Sequence, residues 1–224
     1  MRITIIIPAL NEAECLSRLL AEVPAGLAHQ VIVVDNGSTD STAEVARSGG
    51  AQVIDEPRRG YGFACAAGVE AAEGEVLVFM DGDGSFTPRE LPGLLAPLAQ
   101  HEADLVLGAR MLDDPTLVAM PLPQRFGNQF FAWLLRQRFR LELTDLGPYR
   151  AIRRELLHDL DMQERTYGWP LEMIIKAALR HKRIIEVPVS YRPRFSGRSK
   201  VGGTLRGSFL AGYHFFSLMI RYGF

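Results

Sequence analysis

The sequence lacks the features that mark secreted, membrane-spanning and nucleic-acid-binding proteins. Its 224 residues contain only two cysteines, Cys15 and Cys65, without metal-ligand spacing, so reduced thiols in a cytoplasmic protein are expected. No apolar run approaches the ~18–20 residues of a membrane span, and the segment 1–8 is too short for a signal peptide. A formal net charge of -1 excludes a globally basic protein, so any anion binding must come from local clusters.

The first half of the chain shows a regular alternation of strand and helix patterns. Short apolar runs predict strands at 2–7, 31–35, 51–55, 76–80 and 104–109. Helical patterns between them cover 11–23, 38–47, 61–72 and 89–100. Because this alternation is typical of βαβ units, the sequence predicts an α/β fold with a mainly parallel central sheet flanked by helices.

The second half is less regular. Helices are predicted at 121–140, 170–180 and 204–222, an irregular strand at 143–152 and a further strand at 183–189. A polar loop that contains glycine covers 192–203. No repeat, low-complexity tract or long linker divides the chain. Residues 1–224 are therefore predicted to form a single domain that ends in an amphipathic helix at about 204–222.

The segment 76–85 is the most informative part of the sequence. A buried strand ends there in Asp81 and Asp83, which are separated and followed by glycine. Ligands of open α/β sheets bind beyond the carboxyl ends of the strands. Two carboxylates on such a turn suit a hard divalent cation that is shared with a diphosphate. An ordinary Asp-Gly turn between two elements is the alternative.

Polar residues also follow the first two predicted strands. Pro8 is expected to turn the chain outward, because proline cannot continue a central strand, and this leaves Asn11 and Glu12 near the same sheet edge. Asp35 ends the second strand, where a carboxylate can accept from a ribose hydroxyl or a base N–H. Helix capping by Asn11 and a favourable first-turn charge on Glu12 are the alternatives.

Basic residues form two further groups. Arg58 and Arg59 precede Gly60 and a predicted helix, whose N-terminus could hold a phosphate. The second group is spread over the later half and includes Arg110, Arg125, Arg150, Arg192, Arg194, Arg198 and Lys200. The loop 192–200 is a candidate anion clamp, and a solvated loop is the alternative.

In their order and spacing, these segments resemble glycosyltransferase family 2, most closely the polyprenyl-phosphate (dolichyl-phosphate-type) mannosyl- and glucosyltransferases. The matching pieces are 8–12, 33–40, Arg59-Gly60 with Gly68, 81–85, 108–110, Asp145 through Arg150, and 198–200. The resemblance implies a GT-A nucleotide-diphospho-sugar transferase fold. It also implies inverting transfer of a hexose from a UDP-glucose or GDP-mannose type of donor to a polyprenyl phosphate.

The resemblance assigns roles residue by residue. The nucleoside pocket would be lined by Pro8, Asn11, Glu12 and Asp35. Mg²⁺ or Mn²⁺ would be held on the diphosphate by Asp81 and Asp83, and would act as a Lewis acid for the leaving group. The acceptor phosphate would be gathered by Arg110, Arg125, Arg198 and Lys200. Two departures bear on nucleotide preference and metal affinity: Asn36 stands where the family often has Asp, and Ser85 where it often has Gln.

Two other reactions stay open at this point. A lipid monophosphate is already anionic near pH 7 and needs no strong general base, whereas a sugar or glycolipid hydroxyl acceptor would need one, for which Glu172 is the candidate. A nucleotidyltransferase is a more remote alternative. It would normally have a Gly- and Lys/Arg-rich loop after the first strand, where this chain has Pro8 to Glu12.

Membrane contact is a further expectation. The helical segments 124–135 and 204–222 carry aromatic side chains but are too polar to span a bilayer. They could lie in the interface beside a lipid acceptor, which would make the protein peripheral on the cytoplasmic membrane face. Packing on the sheet or on a dimer partner is the alternative.

Overall fold

The computed structural model describes residues 1–110, 122–196 and 205–223, with the side chains of 122–124 and 205–211 outside that description. Within these ranges the strands are β1 (Ile3–Ala9), β2 (Gln30–Asp35), β3 (Gln52–Asp55), β4 (Val76–Phe79), β5 (Leu105–Arg110), β6 (Arg150–Arg153) and β7 (Ile184–Val189). The helices are α1 (Ala13–Ala21), α2 (Thr42–Ser48), α3 (Tyr61–Glu70), α4 (Leu91–Ala99), α5 (Leu122–Phe139), α6 (Arg154–Leu160), α7 (Trp169–Leu179) and α8 (Leu205–Arg221). A 3-10 turn, Pro88–Glu90, precedes α4.

The strands form one sheet in the order β3-β2-β1-β4-β6-β5-β7. Every neighbouring pair is parallel except those of β6, which runs antiparallel to β4 and β5. The chain moves outward from β1 to β3 and then returns to place β4 on the other side of β1. This reversal creates a switch point, and the crevice beyond the carboxyl ends of β1 and β4 is where such sheets bind ligands.

Helices cover both faces of the sheet, as the side-chain alternation of β4 requires. Leu77 and Phe79 face a cluster that includes residues of α3, α5, α6, α7 and α8. Val76 and Val78 face the opposite cluster, which includes residues of α1, α2 and α4. All four side chains are buried, and each contributes roughly 1.5–3 kcal/mol to folding. The predicted α/β class with a mainly parallel, helix-flanked sheet is confirmed.

The expectation that Pro8 turns the chain out of the sheet is wrong. β1 continues to Ala9, with Pro8 opposite Val34 of β2. The pairing of β1 with β4 has already ended at Ile6 and Phe79. Because Ile6 accepts from Met80 on the β4 side, Pro8, two residues later, also faces that side. The missing N–H of proline therefore removes no ladder hydrogen bond.

Two helices begin later than the sequence predicts. α1 starts at Ala13 rather than at residue 11, and α2 starts at Thr42 rather than at 38. Neither N-cap residue, Glu12 or Ser41, caps its helix with its side chain. Asp40 instead caps both helices: its Oδ2 accepts from the N–H of Ala13 at 3.3 Å and its Oδ1 from the N–H of Thr42 at 3.0 Å. The loops after β1 and β2 are thus joined by one carboxylate.

The second half departs further from the prediction. The irregular strand predicted at 143–152 is only the four-residue β6, and α6 follows it directly without having been predicted. β6 is inserted antiparallel between β4 and β5, which places Arg150 opposite Phe79. Such an insertion depends on long-range pairing, which local periodicity does not encode.

Candidate active site

The turn after β4 carries the predicted metal ligands. Met80 extends the strand by one hydrogen bond, its N–H donating to the Ile6 carbonyl at 3.1 Å. The N–H of Ser85 then donates to Asp83 Oδ1 at 2.9 Å, which fixes that carboxylate within the turn. Asp81 and Asp83 both keep part of their surface exposed beyond the carboxyl end of β4. The structure thus places both at the switch point, as predicted.

This turn concentrates negative charge. Burial, followed by repulsion from Asp83, raises the pKa of Asp81 to about 7, and Arg110 opposes the rise. Glu12 adds to the repulsion. Within the described residues, no three His, Cys, Asp or Glu side chains form a group that could hold a metal ion by themselves. Asp81 and Asp83 therefore fit a cation that takes its other ligands from a bound anion such as a diphosphate.

Asn11 and Asp35 lie together at the rim beyond β1 and β2. The N–H of Asn11 donates to Ser38 Oγ at 2.9 Å, and the N–H of Thr39 donates to Asn11 Oδ1 at 2.7 Å. The N–H of Ser38 donates to Asp35 Oδ1 at 2.8 Å. Asn11 adopts a left-handed φ of 51°, which asparagine tolerates better than most residues. These bonds fix both predicted nucleoside-binding side chains on one rim.

Glu12 lies on the metal side of the crevice. Its N–H donates to Thr42 Oγ1 at 2.9 Å. Its carboxylate accepts two hydrogen bonds from Arg194 Nη2, at 2.7 and 2.9 Å. Arg194 Nη1 also lies 3.9 Å from Asp83 Oδ2. Glu12 is therefore linked to the Asp83 carboxylate through a shared arginine, rather than grouped with the nucleoside-binding residues alone.

Residues 191–196, called the strap below, lie across the turn after β4. The N–H of Arg192 donates to the Ser85 carbonyl at 3.0 Å, and that of Phe195 donates to the Asp83 carbonyl at 3.1 Å. Arg192 Nε donates to the Gly84 carbonyl at 2.7 Å. Gly84 has a φ of 77°, and a Cβ there would lie 2.4 Å from the Phe195 ring. Glycine is thus required where the strap crosses the turn.

Asn36 holds the neighbouring loop in place. Its Nδ2 donates to the carbonyls of Glu56 and Arg58 at 2.8 and 2.7 Å, and its Oδ1 accepts from the N–H of Gly60 at 2.9 Å. An aspartate could not donate the first two bonds. The departure from the family pattern at this position is therefore a structural feature of the loop after β3.

The predicted phosphate site at the start of α3 is wrong. The N–H groups of Gly62 and Phe63 donate to the carbonyls of Thr166 and Arg165 at 3.2 and 3.0 Å, so the helix N-terminus is already occupied by backbone. A Cβ on Gly60 would lie 2.5 Å from the Arg165 carbonyl oxygen. Arg58 pairs with Glu56 at 2.6 Å. The two glycines serve close packing, not anion binding.

Arg110 is paired within the protein. Its Nε and Nη2 donate to the two carboxylate oxygens of Asp145 at 2.7 and 2.6 Å, and both side chains are buried. Burial is the largest single influence on the pKa of Arg110 and would lower it, but the charge and the hydrogen bonds of Asp145, together with smaller contributions from Tyr191 and Asp81, make the net change upward. Asn128 Nδ2 donates to Asp145 as well, at 2.6 Å. Arg110 thus lies near Asp81 as a fixed positive charge held by Asp145.

The other predicted cations are placed differently. Arg125 is half-buried on α5, one turn before Asn128 and on the same helix face, and so on the side of α5 that holds Asp145. Arg150 is buried and donates to the carbonyls of Pro170 and Gly147. Burial lowers the pKa of Arg150 to about 10. Arg150 therefore supports the core and is no anion clamp, while the predictions for Arg198 and Lys200 lie outside the described residues.

Glu172, the candidate base for a hydroxyl acceptor, is a structural residue. It is fully buried and pairs with Lys176 Nζ at 3.0 Å. Its carboxylate also accepts from the N–H groups of Gln163 and Glu164 and from the Tyr222 hydroxyl, the last at 2.9 Å. These partners tie α7 to the loop before it and to Tyr222, which directly follows α8. A carboxylate with this many internal partners is not placed to take a proton from a substrate.

A switch-point crevice lined by a carboxylate pair is the architecture of enzymes that act on nucleotide-bound substrates. The family model for glycosyl transferase family 2 matches residues 4–161, and the chain belongs to that family. An uncharacterised glycosyltransferase of Mycobacterium tuberculosis is 46% identical over 93% of this chain and 94% of its own length. The predicted resemblance is confirmed, and the protein is a glycosyltransferase.

Two further relatives carry more specific names. A dolichyl-phosphate hexose transferase of Haloferax volcanii is 36% identical over 89% of this chain and 86% of its own. An undecaprenyl-phosphate mannosyltransferase of Micrococcus luteus is 35% identical over 92% of this chain and 90% of its own. Both names agree with the polyprenyl-phosphate branch of the predicted resemblance.

Solved structures confirm the fold. Glucosyl-3-phosphoglycerate synthase of Mycobacterium tuberculosis, crystallised with Mn²⁺, UDP and phosphoglyceric acid, aligns with a TM-score of 0.77 at 24% identity, over 99% of this chain and 78% of that one. The same enzyme with Mg²⁺ and UDP aligns with a TM-score of 0.78.

Proposed function

We propose that this chain is a metal-dependent, inverting glycosyltransferase that moves a hexose from a nucleotide-diphosphate sugar to a polyprenyl phosphate. The observation that carries the proposal is the placement of Asp81 and Asp83 at the switch point, with Asn11 and Asp35 fixed on the adjoining rim. A nucleotide that lies across this crevice meets a polar rim at one end and a carboxylate pair at the other. Residues 1–224 form its catalytic domain.

The donor site divides into two parts. Asp35 keeps one carboxylate oxygen bound to Ser38 and has a second that can accept from the nucleoside. Asp81 and Asp83 would hold Mg²⁺ or Mn²⁺, which supplies Lewis acidity to the leaving diphosphate when bound. Arg110, fixed by Asp145, lowers the electrostatic cost of charge near Asp81. Pro8 is proposed to line the nucleoside end of this crevice, and Ser85 to hold the Asp83 carboxylate through its N–H.

A phosphate acceptor is supported by two observations. The relatives that are 36% and 35% identical are named for transfer to dolichyl phosphate and undecaprenyl phosphate. The base that a hydroxyl acceptor would need is also missing at Glu172, because that carboxylate is buried and bonded within the protein. We therefore favour the lipid phosphate over the hydroxyl. Arg125, Arg198 and Lys200 are proposed to gather that phosphate.

Helices α5 and α8 offer a surface for a membrane. Their sequences contain five arginines and neither Asp nor Glu. Phe131 of α5 packs against Phe215 of α8 with ring centroids 5.2 Å apart, so the two helices lie side by side. Large apolar side chains on the same pair are more than half exposed: Phe126 68%, Phe130 51%, Tyr213 62%, Phe216 57% and Ile220 61%. Cationic helices with exposed aromatics fit an anionic membrane interface.

Within the described residues, no helix is long and apolar enough to cross a bilayer.

The donor part is tested by thermal shift with UDP, GDP and CDP and their sugars, each with Mn²⁺, Mg²⁺ or EDTA. A ligand at about 100 times its dissociation constant adds about 2.7 kcal/mol, which is worth roughly 5–10 °C in a chain of this size. We expect a metal-dependent shift with one diphosphate, which names the base. Absence of any metal-dependent shift would contradict the donor site.

The acceptor part is tested with Arg198→Ala. This variant should reduce transfer to a short-chain polyprenyl phosphate by at least about tenfold, since a charge-assisted contact to phosphate is lost. Transfer to a sugar hydroxyl, if there is any, should change little. Equal losses with both acceptors would argue against a phosphate clamp.

The membrane surface is tested by flotation with vesicles of phosphatidylcholine alone or with phosphatidylglycerol. We expect binding only to the anionic vesicles, and a drop of roughly tenfold for the double variant Phe130→Ser/Phe216→Ser, which removes two aromatic contacts. Leu179→Ser is the matched control, because Leu179 is 41% exposed on α7. Unchanged binding of the double variant would remove these helices from the proposal.

A further inference from the structure

Arg194 lies between the carboxylates of Glu12 and Asp83. Its side chain is 18% exposed, and Nη2 donates to both oxygens of Glu12 at 2.7 and 2.9 Å. Nη1 approaches Asp83 Oδ2 to 3.9 Å. The guanidinium is thus the positive charge that bridges Glu12 to Asp83, on the oxygen of Asp83 that does not bind Ser85.

A divalent cation would need that same oxygen. Asp83 Oδ1 accepts from the N–H of Ser85 at 2.9 Å, so Oδ2 is the oxygen with more lone-pair capacity for a metal. A cation bound there would be repelled by a guanidinium at ion-pair distance. Metal and Arg194 therefore compete for the charge of Asp83 and Glu12.

The position of Arg194 is set by the strap. Phe195, its neighbour, has the guanidinium groups of Arg18 and Arg192 over its ring at 4.1 and 4.3 Å. Arg192 Nη2 also donates to Glu22 Oε2 at 2.7 Å. These contacts hold the chain on both sides of Arg194, which keeps its guanidinium within reach of Glu12 and Asp83.

We infer that Arg194 is a positioning residue whose guanidinium, in the metal-free protein, occupies the position of the divalent cation between Glu12 and Asp83. This guanidinium must move away when metal and nucleotide bind together. The inference rests on the proposed function, because it concerns the cation of the donor site. A diphosphate supplies the negative charge that a displaced guanidinium needs. Metal and nucleotide should therefore bind with strong mutual coupling, and this coupling should depend on Arg194.

The test is Mn²⁺ titration followed by electron paramagnetic resonance, on protein treated with EDTA and dialysed, alone and with UDP or GDP. Arg194→Met should bind Mn²⁺ alone about tenfold more tightly than the wild type, and the nucleotide should then tighten Mn²⁺ binding by a smaller factor. Arg194→Lys, which keeps the charge without the two-pronged bond, should fall between the two and serves if Arg194→Met does not fold.

Arg183→Met is the matched control. It removes an arginine that pairs with Asp104 at 3.1 Å and contacts neither Glu12 nor Asp83, so Mn²⁺ affinity should stay at the wild-type value. Equal or weaker Mn²⁺ binding by Arg194→Met, with nucleotide still tightening the wild type, would overturn the inference and leave the donor site standing. If neither nucleotide tightens Mn²⁺ binding in any of the proteins, the proposed function fails together with the inference.

Discussion

Replacing Asp81 with asparagine should stabilise the protein in EDTA while it abolishes transfer. Burial and the charge of Asp83 raise the pKa of Asp81 to about 7, so the folded state resists ionisation of this carboxyl group. An asparagine keeps the shape without the charge. Asp81 is thus expected to lower the stability of the folded protein in the absence of a cation, and to be retained for its role in binding one.

The size of the effect follows from the pKa. The pKa of Asp81 is about 7 in the folded protein, against ~3.9 for an aspartate in the unfolded chain. At about 1.36 kcal/mol per pKa unit, full ionisation of this carboxyl group lowers the free energy of unfolding by roughly 4 kcal/mol. Asp81 is partly exposed, so solvent screening reduces this to roughly 2 kcal/mol. In a chain of this length that corresponds to a Tm rise of roughly 4–8 °C.

The raised pKa also fixes the direction in which stability changes with pH. Because the pKa of Asp81 is raised, the folded protein holds its proton more tightly than the unfolded chain does. Below about pH 4 both states are protonated and the carboxyl group has no effect. Wild-type stability relative to the variant then falls as the pH rises, and the full loss applies above about pH 7.

Differential scanning fluorimetry in EDTA at pH 4 and pH 8 measures this. The Tm of Asp81→Asn should match the wild type at pH 4 and exceed it at pH 8. Asp55→Asn is the control, because Asp55 is an exposed carboxylate at the end of β3 on the same sheet edge, and its replacement should change stability by less than about 0.5 kcal/mol. A variant no more stable than the wild type at pH 8 would refute the reasoning.

Three other predictions concern residues around the site. Asn36→Asp should lower the free energy of unfolding by roughly 2–4 kcal/mol, because a carboxylate would face the two carbonyl oxygens to which Asn36 now donates. Thermal unfolding measures this, and an unchanged Tm would contradict it. Glu172→Gln should lower the Tm but leave the rate of sugar transfer within about threefold of the wild type, since the partners of Glu172 are structural. Loss of transfer in a folded variant would instead indicate that Glu172 acts as a base. Asp145→Asn should cost about 3–5 kcal/mol at pH 7, because it leaves Arg110 buried without its counter-charge. Arg110 lowers the pKa of Asp145 against the opposing effect of burial, so this stability is present above about pH 4 and is lost as the pH falls below it. The deficit of the variant relative to the wild type should therefore shrink in acid, and a deficit as large at pH 3 as at pH 7 would contradict the assignment.

The fold could be predicted because its signals are local. Apolar runs and helical periodicity depend on neighbouring residues, and the alternation of the two in the first half leaves few topologies besides a parallel sheet. The sequence does not predict the antiparallel β6, because its position depends on pairing with β4, which brings together distant residues such as Phe79 and Arg150. The effect of Pro8 is not encoded locally either, since it depends on where a neighbouring strand ends.

The site was predictable only in part. Asp35, Asp81 and Asp83 follow strands directly, so their place at the sheet edge is encoded in the sequence. The partners of these residues are not, because they come from distant segments: Arg194 meets Glu12 across 182 positions of sequence. The same holds for Arg110, whose dependence on Asp145 spans 35 positions. Charges that the sequence presents as available are therefore often neutralised inside the fold.

The most direct test of the central claim is transfer of radiolabelled sugar from UDP-glucose and from GDP-mannose to a polyprenyl phosphate, with product counted in the organic phase. The account predicts a lipid-linked product from one of these donors with Mg²⁺ or Mn²⁺, and none with EDTA or with Asp83→Ala. Product formed equally well by Asp83→Ala, or formed in EDTA, would contradict the assignment of the carboxylate pair at the switch point.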